Sequence, residues 1–260
     1  MKQLTEQQIL DNWNKLIQLI EDTFEGERKE KLLEMYKYFE DRMSVAPASG
    51  KEAYHNAMVG GYVEHVLHVT DCALQIKKLW ESNGAMINFT DEELIFAAIH
   101  HDLGKVGDLH QDYYIPQESE WHRKNKGEIF KHNPNLQYMT VTDRAIFLLN
   151  HFGITMSEWE YIGLRLTDGL YEEGNKSYYM SYNPDWSLKS NIAYILHQAD
   201  MMATHIEFDQ WMKSDEEYNT KVTTNIQKAV GGNTKKTKTE PSPQMSKKSQ
   251  DLFDELFGDK

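Results

Sequence analysis

Apolar residues recur at helical spacing through most of the first 213 positions. Leu4, Ile9, Trp13, Leu16, Ile17 and Ile20 fall on one face of a helix, with Thr5 placed to cap its start. Leu32, Leu33, Tyr36, Phe39 and Met43 form a second stripe, cut off by Ala46-Pro47. Behind Gly60-Gly61 runs a stronger period: Val63, Val66, Leu67, Val69, Ala73, Leu74, Ile76, Leu79 and Trp80. Thr90-Asp91-Glu92-Glu93 has the form of a capping box opening a helix from Leu94 to His101. Further helices are predicted over 142–152, 157–166 and 188–211. The strand signal is confined to Tyr178–Tyr182, and Val106–Thr140 reads as a polar region without regular period. The pattern predicts an all-α fold.

Charge divides the chain unevenly. Its 260 residues carry 28 Lys and Arg against 41 Asp and Glu, a net charge of −13. Residues 214–260 hold 8 acidic and 8 basic residues, so the whole excess lies on 1–213. Within the neutral part, Gly231–Lys248 reads GGNTKKTKTEPSPQMSKK, the composition of a disordered linker. The organisation expected is N-terminal helices over 1–44 packed on a core, a domain over 45–213, a flexible linker over 214–248, and a short amphipathic segment over 249–260. The lone cysteine, Cys72, excludes an internal disulfide, and the longest apolar run, Leu94–Ile99, is too short for a membrane. No basic-then-apolar leader opens the sequence, so a cytoplasmic protein is expected. Phosphate-cradling glycine loops are absent, which removes support for ATP-driven or dinucleotide chemistry. A chain this acidic repels nucleic acid as a whole, so an anionic substrate needs a metal ion or a few placed Lys and Arg.

The candidate chemistry sits where polar residues interrupt apolar helices. Ala97-Ala98-Ile99-His100-His101-Asp102-Leu103-Gly104-Lys105 ends one helix on an adjacent His and Asp. Neighbouring side chains diverge by about 100° on a helix, so both reach one ion only where the helix stops, and Gly104 offers a stop. His65 interrupts the long third stripe, and Asp200 lies among Ala and Met in the last. A carboxylate in such a setting needs a cation or a strong donor. Three helices can thus bring His65, His101, Asp102 and Asp200 to one point, and imidazole with carboxylate suits a borderline or hard divalent ion. His68 and His100 read as packing residues or as supports for these ligands.

The order H…HD…D, with HD followed by an apolar residue, Gly and Lys, resembles the HD superfamily of metal-dependent phosphohydrolases. Pro47-Ala48-Ser49, Tyr54-His55 and Gly60-Gly61-Tyr62-Val63-Glu64-His65 are similar to the stretch before the first ligand in some HD-type 3′–5′ exoribonucleases and relaxase-associated HD domains. The resemblance implies an HD-domain-like helical bundle whose His65, His101, Asp102 and Asp200 hold one divalent ion, Mn, Mg, Co, Ni or Fe. It also implies that the ion binds a substrate phosphate and activates water, with Asp102 and Lys105 as catalytic residues and Lys105 facing the phosphate. Members with two metals carry extra His at places that align here with Val141 and Thr167, so a single ion is expected. The activity implied is hydrolysis of a nucleotide phosphoester. The alternatives are a phosphodiesterase or 3′–5′ exonuclease on short or single-stranded nucleic acid, and a non-catalytic module that senses a nucleotide.

Substrate contacts are expected from His55, from Arg123, Lys124 and His132 in the basic stretch of the polar region, and from Arg144 and Asp168. Tyr113, Tyr114, Tyr178, Tyr179 and Tyr182 could stack on a base. At the far end, Leu252, Phe253, Leu256 and Phe257 share one helical face behind the linker, a pattern suited to docking. That peptide is similar to the sliding-clamp-binding peptides of phage DNA polymerases, which implies a clamp-like partner and, for a phage protein, the host cytoplasm.

Overall fold

A computed structural model describes residues 3–52, 54–181 and 183–213. The expected linker (214–248) and docking peptide (249–260) lie outside the described residues. Among the described residues the fold is all-α, as the sequence pattern predicts. α1 (Glu6–Thr23) and α2 (Gly26–Met43) lead into α3 (Gly61–Ser82) and α4 (Asp91–His100). A small hairpin, β1 (Tyr114–Pro116) and β2 (Phe130–His132), flanks α5 (Glu120–Lys126). α6 (Val141–His151), α7 (Glu158–Arg165), α8 (Lys176–Tyr179) and α9 (Ile192–Lys213) follow. No helix of the described residues is long and apolar enough to cross a membrane.

The caps explain the sharp helix starts. Thr5 with Gln8, and Thr90 with Glu93, form reciprocal capping boxes at α1 and α4, and Ser157 with Glu160 does the same at α7. α3 is the central helix. It packs on α9, α4 and α1, and its residues are buried from Gly61 to Leu74, the signature of a helix enclosed on every side. One apolar core runs from Trp13 and Tyr36 through Tyr62, Phe96, Leu148 and Leu164 to Ile195, so α1 and α2 share the core of the later helices.

Three local expectations are corrected. Tyr178–Ser181, the described part of the expected strand, is not one: α8 covers Lys176–Tyr179, and the Tyr179 hydroxyl donates to the carbonyls of Leu166 (2.8 Å) and Ala193 (3.2 Å). That anchoring to α7 and α9 overrides the strand preference of tyrosine. The polar region holds β1, α5 and β2, with Tyr114 opposite His132 in an antiparallel pair. The hairpin is closed from a distance, because the Gly50 carbonyl accepts the N–H groups of Ile129 (2.9 Å) and Phe130 (3.1 Å). α9 begins at Ile192 rather than 188, where the Ser190 hydroxyl accepts the Ile192 N–H.

The end of α4 positions the chemistry. His100 is its last residue, His101 its C-cap, and a 3-10 turn over Leu103–Val106 carries the chain away. Gly104 does not stop the helix through a left-handed conformation; it is needed for close packing. A Cβ there would lie 2.0 Å from the Val141 carbonyl oxygen at the start of α6.

Candidate metal centre

α3, the end of α4, and α9 bring four side chains into one cluster, buried except for the half-buried Asp200. His65 Nε2 lies 3.2 Å from Asp200 Oδ1 and 3.6 Å from Asp102 Oδ2. His101 Nε2 lies 3.5 Å from Asp102 Oδ2 and 3.8 Å from Asp200 Oδ1. Both imidazoles are fixed through their other nitrogen. His101 Nδ1 donates to the Ala98 carbonyl (2.7 Å), and His65 Nδ1 donates to the Glu207 carboxylate (3.0 Å). These partners only accept, so they set the tautomer and leave each Nε2 to face the carboxylates. Both Nε2 atoms are buried without a well-formed hydrogen bond; in the metal-free protein the His65 Nε2 proton faces Asp200, and a bound cation would displace it.

A buried ring nitrogen without a partner is costly, and a metal ion would satisfy both at once. Ligands about 2.1 Å from a tetrahedral ion stand roughly 3.4 Å apart, and the four separations above bracket that spacing. His65, His101 and Asp200 form one triad able to hold an ion; His55, His65 and Asp102 form an overlapping one. The residues present therefore fit a divalent cation. Because Glu207 occupies His65 Nδ1, both triads depend on the same Nε2, whose single lone pair serves one ion.

The electrostatics follow from the crowding of acids and rings. Burial opposes a charged His65, yet the Glu207 and Asp200 carboxylates outweigh it and hold its pKa up to about 10. Burial works to raise the Asp102 and Asp200 pKa values, but Lys105, His101 and His65 around Asp102, and His65 and His101 around Asp200, keep both low. His55 is pushed down to about 3 by burial, His65 and Lys105, so it is neutral.

The other expected site residues separate into those near this point and those apart from it. Lys105 Nζ donates to Asp102 Oδ2 (2.6 Å) and faces His55 Nε2 (3.4 Å), while the His55 ring lies 4.5 Å from that of His65. Lys105 is thereby tied to a ligand carboxylate and oriented by a neutral acceptor. Asp168 is exposed, accepts from Thr142 Oγ1 (3.3 Å), and has its pKa raised by desolvation and by Asp102 and Asp200. His132 packs against Tyr113 (4.7 Å) and Tyr114 (5.3 Å) on the hairpin; desolvation and then Lys105 lower its pKa. Arg144 is buried and donates to the Gln137 carbonyl (2.6 Å), holding the loop ahead of α6. Arg123 and Lys124 are exposed on α5, with Lys124 paired to Glu120. His100 is buried with Nδ1 on the Phe96 carbonyl (2.7 Å).

Sequence reasoning missed Glu207. It is buried, and one carboxylate joins His65 to His68, whose Nδ1 donates to it at 2.7 Å. The available signal was its place seven residues after Asp200, two helical turns along the same face.

Comparison of the chain with protein-family models, with curated proteins and with solved structures finds no match. The class is defined by the chain's own geometry: an all-helical protein with a buried His/Asp cluster compatible with a metal ion.

Proposed function

We propose that the protein is a metal-dependent phosphohydrolase that cleaves a nucleotide phosphoester. The observation that carries this reading is the pair of orientation-fixed imidazoles whose Nε2 atoms face Asp102 and Asp200 within 3.2–3.8 Å. The H…HD…D order and its resemblance to HD phosphohydrolases supply the reaction class. A divalent ion in such a set lowers the pKa of water and polarises a phosphoryl oxygen.

The chain's own residues account for the rest. Lys105, held by Asp102 and His55, presents a fixed ammonium to the substrate phosphate. Asp168, whose pKa is raised by desolvation and then by Asp102 and Asp200, is a further carboxylate near the centre available to contact the substrate. Tyr113, Tyr114 and His132 supply an aromatic wall for the organic part of the substrate.

A diesterase or 3′–5′ exonuclease is the second reading. It is favoured by His55, which comes from the exoribonuclease-like stretch and lies against His65 and Lys105. One screen tests both: purified protein with Mn, Mg, Co, Ni or Fe is offered nucleotides and single-stranded oligonucleotides, read by phosphate release and product mass. Turnover that Asp102→Ala abolishes is expected. Metal-loaded protein that cleaves neither class of substrate would sink the enzyme reading and favour a nucleotide-sensing module.

A further inference from the structure

We propose that Glu207 is a positioning residue of the metal centre, and that with His68 it forms a clamp setting the affinity for the ion. The inference rests on the metal-centre reading above. Two helices build the clamp by spacing alone. α3 presents His65 and His68 three residues apart on one face, and α9 presents Asp200 and Glu207 seven apart on the facing one. Each helix therefore supplies one ligand and one support. Glu207 Oε1 and Oε2 stand 3.1 and 3.0 Å from His65 Nδ1, and Oε1 also accepts from His68 Nδ1 at 2.7 Å.

The arrangement has two consequences. A carboxylate on Nδ1 fixes the ring plane and makes Nε2 a stronger donor to a cation. His68 then holds the carboxylate itself, so that Glu207 cannot swing out to meet the ion directly. Glu207 and His68 are both almost fully buried, and the bond between them leads directly to His65.

The test uses the full-length protein and Co2+ alone, with affinity read by calorimetry and ligand geometry by the visible absorption of bound cobalt. Glu207→Gln keeps the shape and removes the charge; it should weaken Co2+ binding about 10- to 100-fold and alter the cobalt spectrum, while the metal-free protein stays folded by circular dichroism. A second pair guards against a misfolded variant. His68→Leu removes the donor to Glu207 and should also weaken binding, whereas His68→Asn, whose amide can replace Nδ1–H, should restore it. A purely structural role would lower the melting temperature and leave the affinity of the folded protein unmoved. Folded Glu207→Gln binding Co2+ within about threefold of wild type would overturn the clamp alone, as would equal affinities for His68→Leu and His68→Asn. Wild-type protein that binds no Co2+ would overturn the metal-centre reading as well.

Discussion

Gly104→Ala is expected to be strongly destabilising through packing alone. Gly104 has no positive φ, so alanine can adopt its backbone without strain. The added Cβ, however, would lie 2.0 Å from the Val141 carbonyl oxygen, 2.8 Å from its carbon and 2.9 Å from its Cα. Cβ contacts below 3.0 Å do not persist, so the turn or the start of α6 must move by about an ångström. The obstacle is helix backbone and cannot rotate away. The cost therefore belongs at the upper end of the about 1–3 kcal/mol that overpacking incurs. For a protein of this size each kcal/mol lowers the melting temperature by about 2–4 °C, which puts the expected drop near roughly 6–12 °C. Thermal melts of wild type, Gly104→Ala and the control Gly174→Ala measure it. At Gly174 the nearest atoms stand 3.7 and 3.9 Å away, and the change should stay within about 0.5 kcal/mol. Gly104→Ala melting within about 2 °C of wild type would refute the close approach of the two backbones.

Two further outcomes follow from the core. Arg28 bonds Glu92 (2.9 Å) and the fully buried Glu160 (2.6 Å), and its guanidinium lies over Phe96. Arg28→Met leaves the Glu160 carboxylate buried without its cation, so a loss of about 3–5 kcal/mol is expected in urea melts, and adding Glu160→Gln should recover much of it; no recovery would mean that the loss comes from packing. Cys72 is buried on α3, and burial followed by Asp71 and Glu207 pushes its thiol up to about 12. A disulfide reagent at pH 9 should therefore label it only after denaturation, and rapid labelling of native protein would contradict its enclosure.

How much of this was legible in sequence depended on the range of the interactions. The helices carried their own signals in the 3.6-residue period and in the Thr5 and Thr90 caps. The hairpin did not, because strands of three residues are too short for a pattern and the Gly50 carbonyl that closes them comes from far earlier in the chain. His65, His101 and Asp200 stood out as polar breaks in apolar faces. Glu207 did not, since it heads the more polar end of α9, where another acid reads as a solvated face. Arg144 looked like an anion contact because a charged side chain on a helix gives no sign of direction; its burial on the Gln137 carbonyl depends on a loop that the pattern leaves undefined.

The acidity of the chain takes its meaning from the same geometry. Asp102, Asp200 and Glu207 place three carboxylates around two imidazoles, and the Lys105 ammonium contacts one of them, Asp102. A divalent ion would bring that set close to neutrality. The site could then accept one phosphoryl group, whose charge at neutral pH is about −1.5 to −2. A duplex carries one negative charge for about every 1.7 Å of its axis, and residues 1–213, bearing the whole net charge of −13, offer it no matching field. α5 carries three cationic side chains, Arg123, Lys124 and Lys126, of which Lys124 is paired with Glu120 and Lys126 lies over the Trp121 ring. For the phosphohydrolase proposed above, this charge balance would favour a small or single-stranded phosphoester over an extended duplex.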